Sequence, residues 1–145
     1  MIAAPEWLEM VEAVYLDDWD ADARDKPIQP DPDVVEATIR EIARRSCADL
    51  LLYQYAADVG SNRGRWLSVT ASDGRFALTV QISEDEWAHL VGDASAEGEA
   101  EFAHGGQPAE WPRRFLVGID DAIAAARHYV VQADLLNPSR WSRAE

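Results

Sequence analysis

The chain has 145 residues, with 27 acids against 13 bases and a formal net charge of −14. That length fits one domain, and an apolar content of 48% with 6 tryptophans supplies a packed core and argues against global disorder. So negative a field repels phosphate backbones, anionic membrane surfaces and acidic substrates and attracts basic partners, so neither nucleic acid nor a membrane is an expected partner. The single cysteine, Cys47, excludes an intrachain disulfide and a cysteine-rich metal site and reads as a buried free thiol. The opening MIAAPEWLEM has no basic n-region, and no segment approaches the ~20 apolar residues of a membrane span. A cytoplasmic location is therefore expected.

In chain order, EMVEAVYL (Glu9 to Leu16) carries apolar residues on both alternating faces and is expected to be a covered strand. Trp7, Met10, Val11 and Val14 also fit a short helix. From Asp17 the run DDWDADARDKPIQPDPD reads as an exposed acidic connection. Asp31 then suits a helix N-cap, Pro32 the first helical position and Asp33 the first turn, where the macrodipole favours an acid. Val35, Ile39, Ile42 and Ala43 recur at helical spacing, which predicts an amphipathic helix over 32–45.

DLLLYQYAA (Asp49 to Ala57) has the length and composition of a strand, and DVGSNRG after it reads as a loop. RWLSVTASDGRFALTVQI places Asp73-Gly74 between two alternating runs, the pattern of a two-residue hairpin whose turn needs positive φ. With that turn, Ser72 meets Arg75. Ala71 with Phe76, Val69 with Leu78 and Leu67 with Val80 then share an apolar face, and Thr70 with Ala77, Ser68 with Thr79 and Trp66 with Gln81 share the other. EWAHLV is expected to form a short strand, with another around Glu99 to His104 inside a glycine-rich acidic stretch. RRFLVGI leads into DDAIAAARHYVVQADLL, where Asp120 can cap a helix over about 120–132 and Ile119 and Ile123 can staple its start. Asn137-Pro138 stops that helix. The expected fold is α+β: a single domain over 1–145 with a mainly antiparallel meander sheet of about five to seven strands and two principal helices, packed mainly on one face.

Sequence motifs for chemistry are sparse. His89, His104 and His128 lack chelating spacing, GSNRG and AHGGQP match no phosphate loop, and no serine sits in a Gly-x-Ser-x-Gly elbow. No cofactor, metal ligand or catalytic residue is assigned, and the chain is not expected to be an enzyme, although a carboxylate pair among Glu84 to Glu101 stays open. The distinctive feature is a surface, with acids concentrated in Asp17 to Asp33 and Glu84 to Glu110 and with Trp19, Trp87, Phe102 and Trp111 among them. Acids around aromatics suit docking onto a basic protein, the charge speeding encounter and the rings supplying affinity. Singly, each of these rings also fits a core position. The expected partner-binding residues are Asp17, Asp18, Trp19, Asp20, Asp22, Glu84, Asp85, Glu86, Trp87, Glu97, Glu99 and Glu101.

Running through MVEAVYLDD, DPDVVEATIREIAR, LLLYQY, WLSVTASDGRFALTVQI, AEFAHGG and FLVGIDDAIAAARHYV to NPSRW, the chain resembles the bacterial polymorphic-toxin immunity proteins of the Imm-one family. The resemblance lies most clearly in the last third: Phe102, His104 and Gly105, then Val117, Ala122, Ile123 and Ala126 leading along the helix to Tyr129, then Pro138 and Trp141. Where the family carries a glycine in the bend after the last helix, this chain has QADLLNP. The resemblance implies a small non-catalytic cytoplasmic inhibitor that protects its producer in bacterial competition by binding a cognate toxin domain, often a nucleic-acid-directed enzyme such as a deaminase or nuclease with a basic groove. An acidic chaperone or adaptor for a secreted protein is the alternative. The helix stop and the family's proline-then-tryptophan ending together make Trp141 the expected structural anchor of a folded-back tail.

Overall fold

The computed structural model describes residues 11–16, 25–28, 31–44, 47–54, 65–83, 86–102, 109–132 and 135–143. In chain order these form β1 (Val11–Leu16), β2 (Asp25–Ile28), α1 (Pro32–Ile42), β3 (Cys47–Gln54), β4 (Arg65–Ser72), β5 (Arg75–Ser83), β6 (Glu86–Leu90), β7 (Glu99–Glu101), β8 (Glu110–Pro112), α2 (Ile119–Gln132) and β9 (Trp141–Arg143). Seven strands make one antiparallel sheet in the order β2-β1-β3-β4-β5-β6-β9, while β7 and β8 pair as a separate ribbon. The fold is α+β, and its centre is the β3-β4-β5-β6 meander.

That meander is organised by the turn at Asp73-Gly74. Both residues hold positive φ, +50° and +80°, the geometry that matches strand twist in a two-residue hairpin. The resulting pairs run from Ser72↔Arg75 to Leu67↔Val80. Leu67, Val69, Ala71, Phe76, Leu78 and Val80 all point to one side, where they join Leu50 and Leu52 of β3 and Ala88 and Leu90 of β6 in a single core.

Both helices cover that same side. Asp31 caps α1 by accepting from the backbone N–H of Asp33 at 2.8 Å and of Val34 at 3.2 Å, and Val35, Ile39 and Ile42 are fully buried. The helix ends at Ile42 with Ala43 as its C-cap, so it is shorter than the 32–45 span expected. α2 contributes Ala122, Ala125, Ala126, Tyr129 and Val130. Its small residues let it lie close to α1. Arg127 ties the two helices together, donating to Asp33 at 2.8 Å and Glu36 at 3.2 Å.

Several expectations are corrected. The acidic connection after Asp17 contains β2, because Lys26 and Pro27 fall opposite Tyr15 and Val14 at the sheet edge, one of the few places a strand tolerates proline. Asp120 does not cap α2: the Ala122 N–H bonds to Gly118 O at 3.1 Å, so Gly118 precedes the helix and Asp120 and Asp121 stand in its first turn, still favoured by the dipole. The strand around Glu99 to His104 is three residues long and pairs with Glu110–Pro112. Residues 55–57 and 103–108 lie outside the described residues, as does the Cys47 side chain.

The tail after α2 is a further sheet strand. Asn137 takes a left-handed φ of +50° and a 3-10 turn over Pro138–Arg140 redirects the chain. Trp141 then pairs with Leu90 and is 9% exposed within the core, its indole N–H donating to Leu136 O at 3.1 Å. Arg140 clamps the turn, donating to Val91 O at 2.8 Å and to Asp121 at 3.2 Å. Trp141→Ala should lower unfolding free energy by about 3 kcal/mol, the usual cost of deleting a buried indole, as measured by urea denaturation, with Trp141→Phe recovering part of it. Gly92 is held by a different constraint: a Cβ there would collide with the Leu116 carbonyl oxygen, where Gly92 N–H bonds Arg114 O at 2.8 Å. Gly92→Ala should cost about 1–3 kcal/mol in the same assay, because backbone on both sides must give way.

Candidate partner-binding face

Side chains of opposite parity build the second face of the sheet, away from the helices. Asp49, Leu51, Ser68, Thr70, Ala77, Thr79, Gln81, Trp87, His89 and Ser142 alternate with the core residues. The face is roofed at one end. There Thr70 and Ser72 are each only 2% exposed, and Ala77 is buried.

The roof is the β7–β8 ribbon and the 3-10 turn over Arg113–Phe115. Ala100 and Phe102 are buried, and Phe102 stands 6.4 Å from Trp111, whose ring meets His89 edge-on at 5.3 Å. Phe115 lies 4.9 Å from His89 on another side. The ribbon is fastened by Arg75, which donates to Glu101 O at 2.6 Å. A two-way backbone bridge between Phe76 and Val117, at 3.0 and 2.8 Å, fastens the chain that follows. That bridge fills the part of the β5 edge that the short β6 does not reach. Beside it a cavity of about 550 Å³ opens between His89, Trp111, Arg114 and Arg143.

His89 bonds Thr79 Oγ1 through Nδ1 at 2.9 Å. Burial among rings lowers its pKa from the ordinary value near 6.5, because a desolvated imidazole resists charging. The neutral form is therefore the one that the fold holds.

The expected partner-binding residues divide among three places. Asp17, Asp18, Trp19, Asp20, Asp22, Glu84 and Asp85 lie outside the described residues. Glu86 and Trp87 open β6, both exposed, Trp87 at 40%, and Glu86 forms an ion pair with Arg143 at 2.8 Å. Glu97, Glu99 and Glu101 are exposed on the ribbon and the loop before it. Phe102 and Trp111, by contrast, belong to the packing under the ribbon. The sequence could not separate these rings, since each stands beside acids and only the pairing of β7 with β8 decides which side faces in.

Glu110, which closes the acidic stretch read from the sequence but was not among the expected partner-binding residues, pairs with Glu101 across the ribbon. A hydrogen bond shared with Glu110 raises the Glu99 pKa above the ordinary carboxylate value, a sign of carboxylates crowded together. Acids elsewhere have structural work: Asp31 caps a helix, Asp33 and Glu36 hold Arg127, and Asp121 holds Arg140. Among the described residues no cation pairs with Glu97, Glu99, Glu101 or Glu110. Nor do any three His, Cys, Asp or Glu side chains among them stand together as a metal site, and no helix among the described residues is long and apolar enough to cross a membrane.

In comparisons with known proteins, no family model matches the chain and no curated protein matches it.

The His89 environment gives a pH test. With the folded pKa lowered, protonation favours the unfolded chain, so the His89 contribution is intact above about pH 6.5 and is lost as pH falls below it. His89→Gln should flatten the stability slope below about pH 6.5 relative to the parent chain, as measured by denaturant titration at each pH.

Proposed function

We propose that this chain is an immunity protein that binds a cognate bacterial toxin domain and neutralises it. The observation that carries the reading is the acidic ribbon: Glu99, Glu101 and Glu110 crowd together on it, with Glu97 in the loop before it, and all four are exposed and without cationic partners among the described residues. Gathering unpaired like charges destabilises a fold, and a partner that neutralises them turns that repulsion into affinity. The ribbon is seated through Trp111 on His89, two residues along β6 from exposed Trp87. Charge and an aromatic anchor therefore belong to one face, the combination that interface hot spots favour. The resemblance to the Imm-one immunity proteins supports the same reading.

The partner that fits is a folded domain with a basic groove, such as a nucleic-acid-directed deaminase or nuclease, which an acidic surface can occlude. The protein itself then acts by occupancy, without catalysis, in the cytoplasm of the producing cell. Its gene should neighbour one encoding a large modular protein with a C-terminal toxin domain. Co-expression should rescue cells from that domain, and the two folded proteins should copurify. Toxicity that persists, or binding only to unfolded toxin segments, would overturn the reading, the second outcome favouring the chaperone alternative.

The combined variant Glu97→Gln, Glu99→Gln and Glu101→Gln should slow association with the toxin domain by about tenfold at low salt, with a shallower salt dependence. Stopped-flow association rates at several ionic strengths would measure both effects.

A further inference from the structure

Beyond the roofed end, the helix-free face carries a cross-strand row that the acidic ribbon does not explain. Gln81 pairs with Trp87 between β5 and β6. The β4–β5 pairing ends at Leu67↔Val80, and Trp66 and Gln81, the next residue on each strand, fall on the helix-free side by alternation. Trp66, Gln81 and Trp87 thus stand side by side on three successive strands, with the first two half-buried and Trp87 40% exposed.

We propose that this row is a docking site for an arginine side chain presented by a basic protein partner, the guanidinium entering between the two indoles over Gln81. The spacing fits. Strands about 4.8 Å apart place the two tryptophans about 10 Å from each other, so a cation seated midway over Gln81 lies about 5 Å from each, within the roughly 6 Å over which an indole attracts it. Trp66 and Trp87 make no ring contact with each other among the described residues, so the gap between them is not closed by stacking.

The chemistry fits as well. Indole faces attract cations, and a guanidinium can stack flat on a ring and still donate in its own plane, which an ammonium cannot. The Gln81 amide oxygen supplies an acceptor at the floor. The net charge of −14 brings cations of either kind to the molecule, whereas this row would distinguish arginine from lysine. The proposal rests on the reading of a basic protein partner made above, and its test does not need the toxin.

The intact chain would be titrated with octa-arginine and octa-lysine peptides at low and physiological salt, with binding followed calorimetrically. Octa-arginine should bind several-fold tighter than octa-lysine, and the preference should survive added salt better than the overall affinity does. Trp87→Ala should weaken octa-arginine about tenfold and bring it level with octa-lysine, with Gln81→Ala giving a smaller loss. Val34→Ala, which trims the exposed side chain on α1, should change neither. Because Trp87 is exposed, its variant is expected to stay folded, which a thermal melt checks.

Equal binding of the two peptides to the parent chain, or a full arginine preference retained in Trp87→Ala, would overturn the proposal. A concentration-dependent dimer that Trp87→Ala dissolves would also overturn it, because a second copy would then be the occupant. If octa-arginine behaves as expected but toxin rescue fails, the arginine site stands and the immunity reading falls.

Discussion

The register of the β4–β5 hairpin is the constraint from which the rest of the molecule follows. Side chains alternate with a period of two, so moving the pairing by one residue would exchange the faces of a strand. Asp73 and Gly74, with φ of +50° and +80°, fix that pairing through a turn few other residues adopt at low cost. Phe76, Leu78 and Val80 are thereby committed to the helices. Ala77, Thr79 and Gln81 are committed to the opposite face, and β3 and β6 inherit the division through their own pairing.

The two faces are then completed by different means. The helix side is closed by apolar burial, and its edge is sealed late in the chain, where Trp141 enters the core and Arg140 grips Val91 and Asp121. On the other side only part of the sheet is roofed, by short elements that cannot stand alone. A ribbon of two three-residue strands has too little pairing to persist by itself. Its place depends on Phe102, Trp111 and Phe115 gathering around His89, on Arg75 gripping Glu101 O and on the Phe76–Val117 bridge. Those contacts hold the carboxylates of Glu99, Glu101 and Glu110 outward.

Local rules made the centre of this fold legible. The hairpin pairs could be written from Asp73-Gly74 alone, and α1 was marked by Asp31, Pro32 and its apolar spacing. What escaped the sequence were elements whose existence is decided at long range. β9 follows a proline and has three residues, and it is a strand only because the end of β6 offers a free edge. β8 shows no periodicity, and its partner lies across residues 103–108. β2 is hidden in an acidic stretch and is defined by its pairing with β1. The site was legible to a similar degree: acids and aromatics could be counted, but which rings are anchors and which are core was not. Trp87 and Trp111 look alike in sequence, each beside a glutamate, and they separate because one lies on the open row while the other turns under the ribbon.

The distribution of charge connects the fold to its proposed use. A net charge of −14 opposes compaction through self-repulsion, and salt at physiological strength screens it only beyond about 8 Å. The fold answers this locally wherever structure requires it: Arg127 lies against Asp33 and Glu36, and Arg140 against Asp121. Among the described residues it leaves the ribbon carboxylates without a cation, although a few exposed lysines there would have relieved the crowding at no cost to the core. Had solubility been the sole demand on this surface, carboxylates dispersed over the molecule would have met it with less repulsion. Concentrating them beside an exposed tryptophan makes physical sense when the missing positive charge arrives on another molecule.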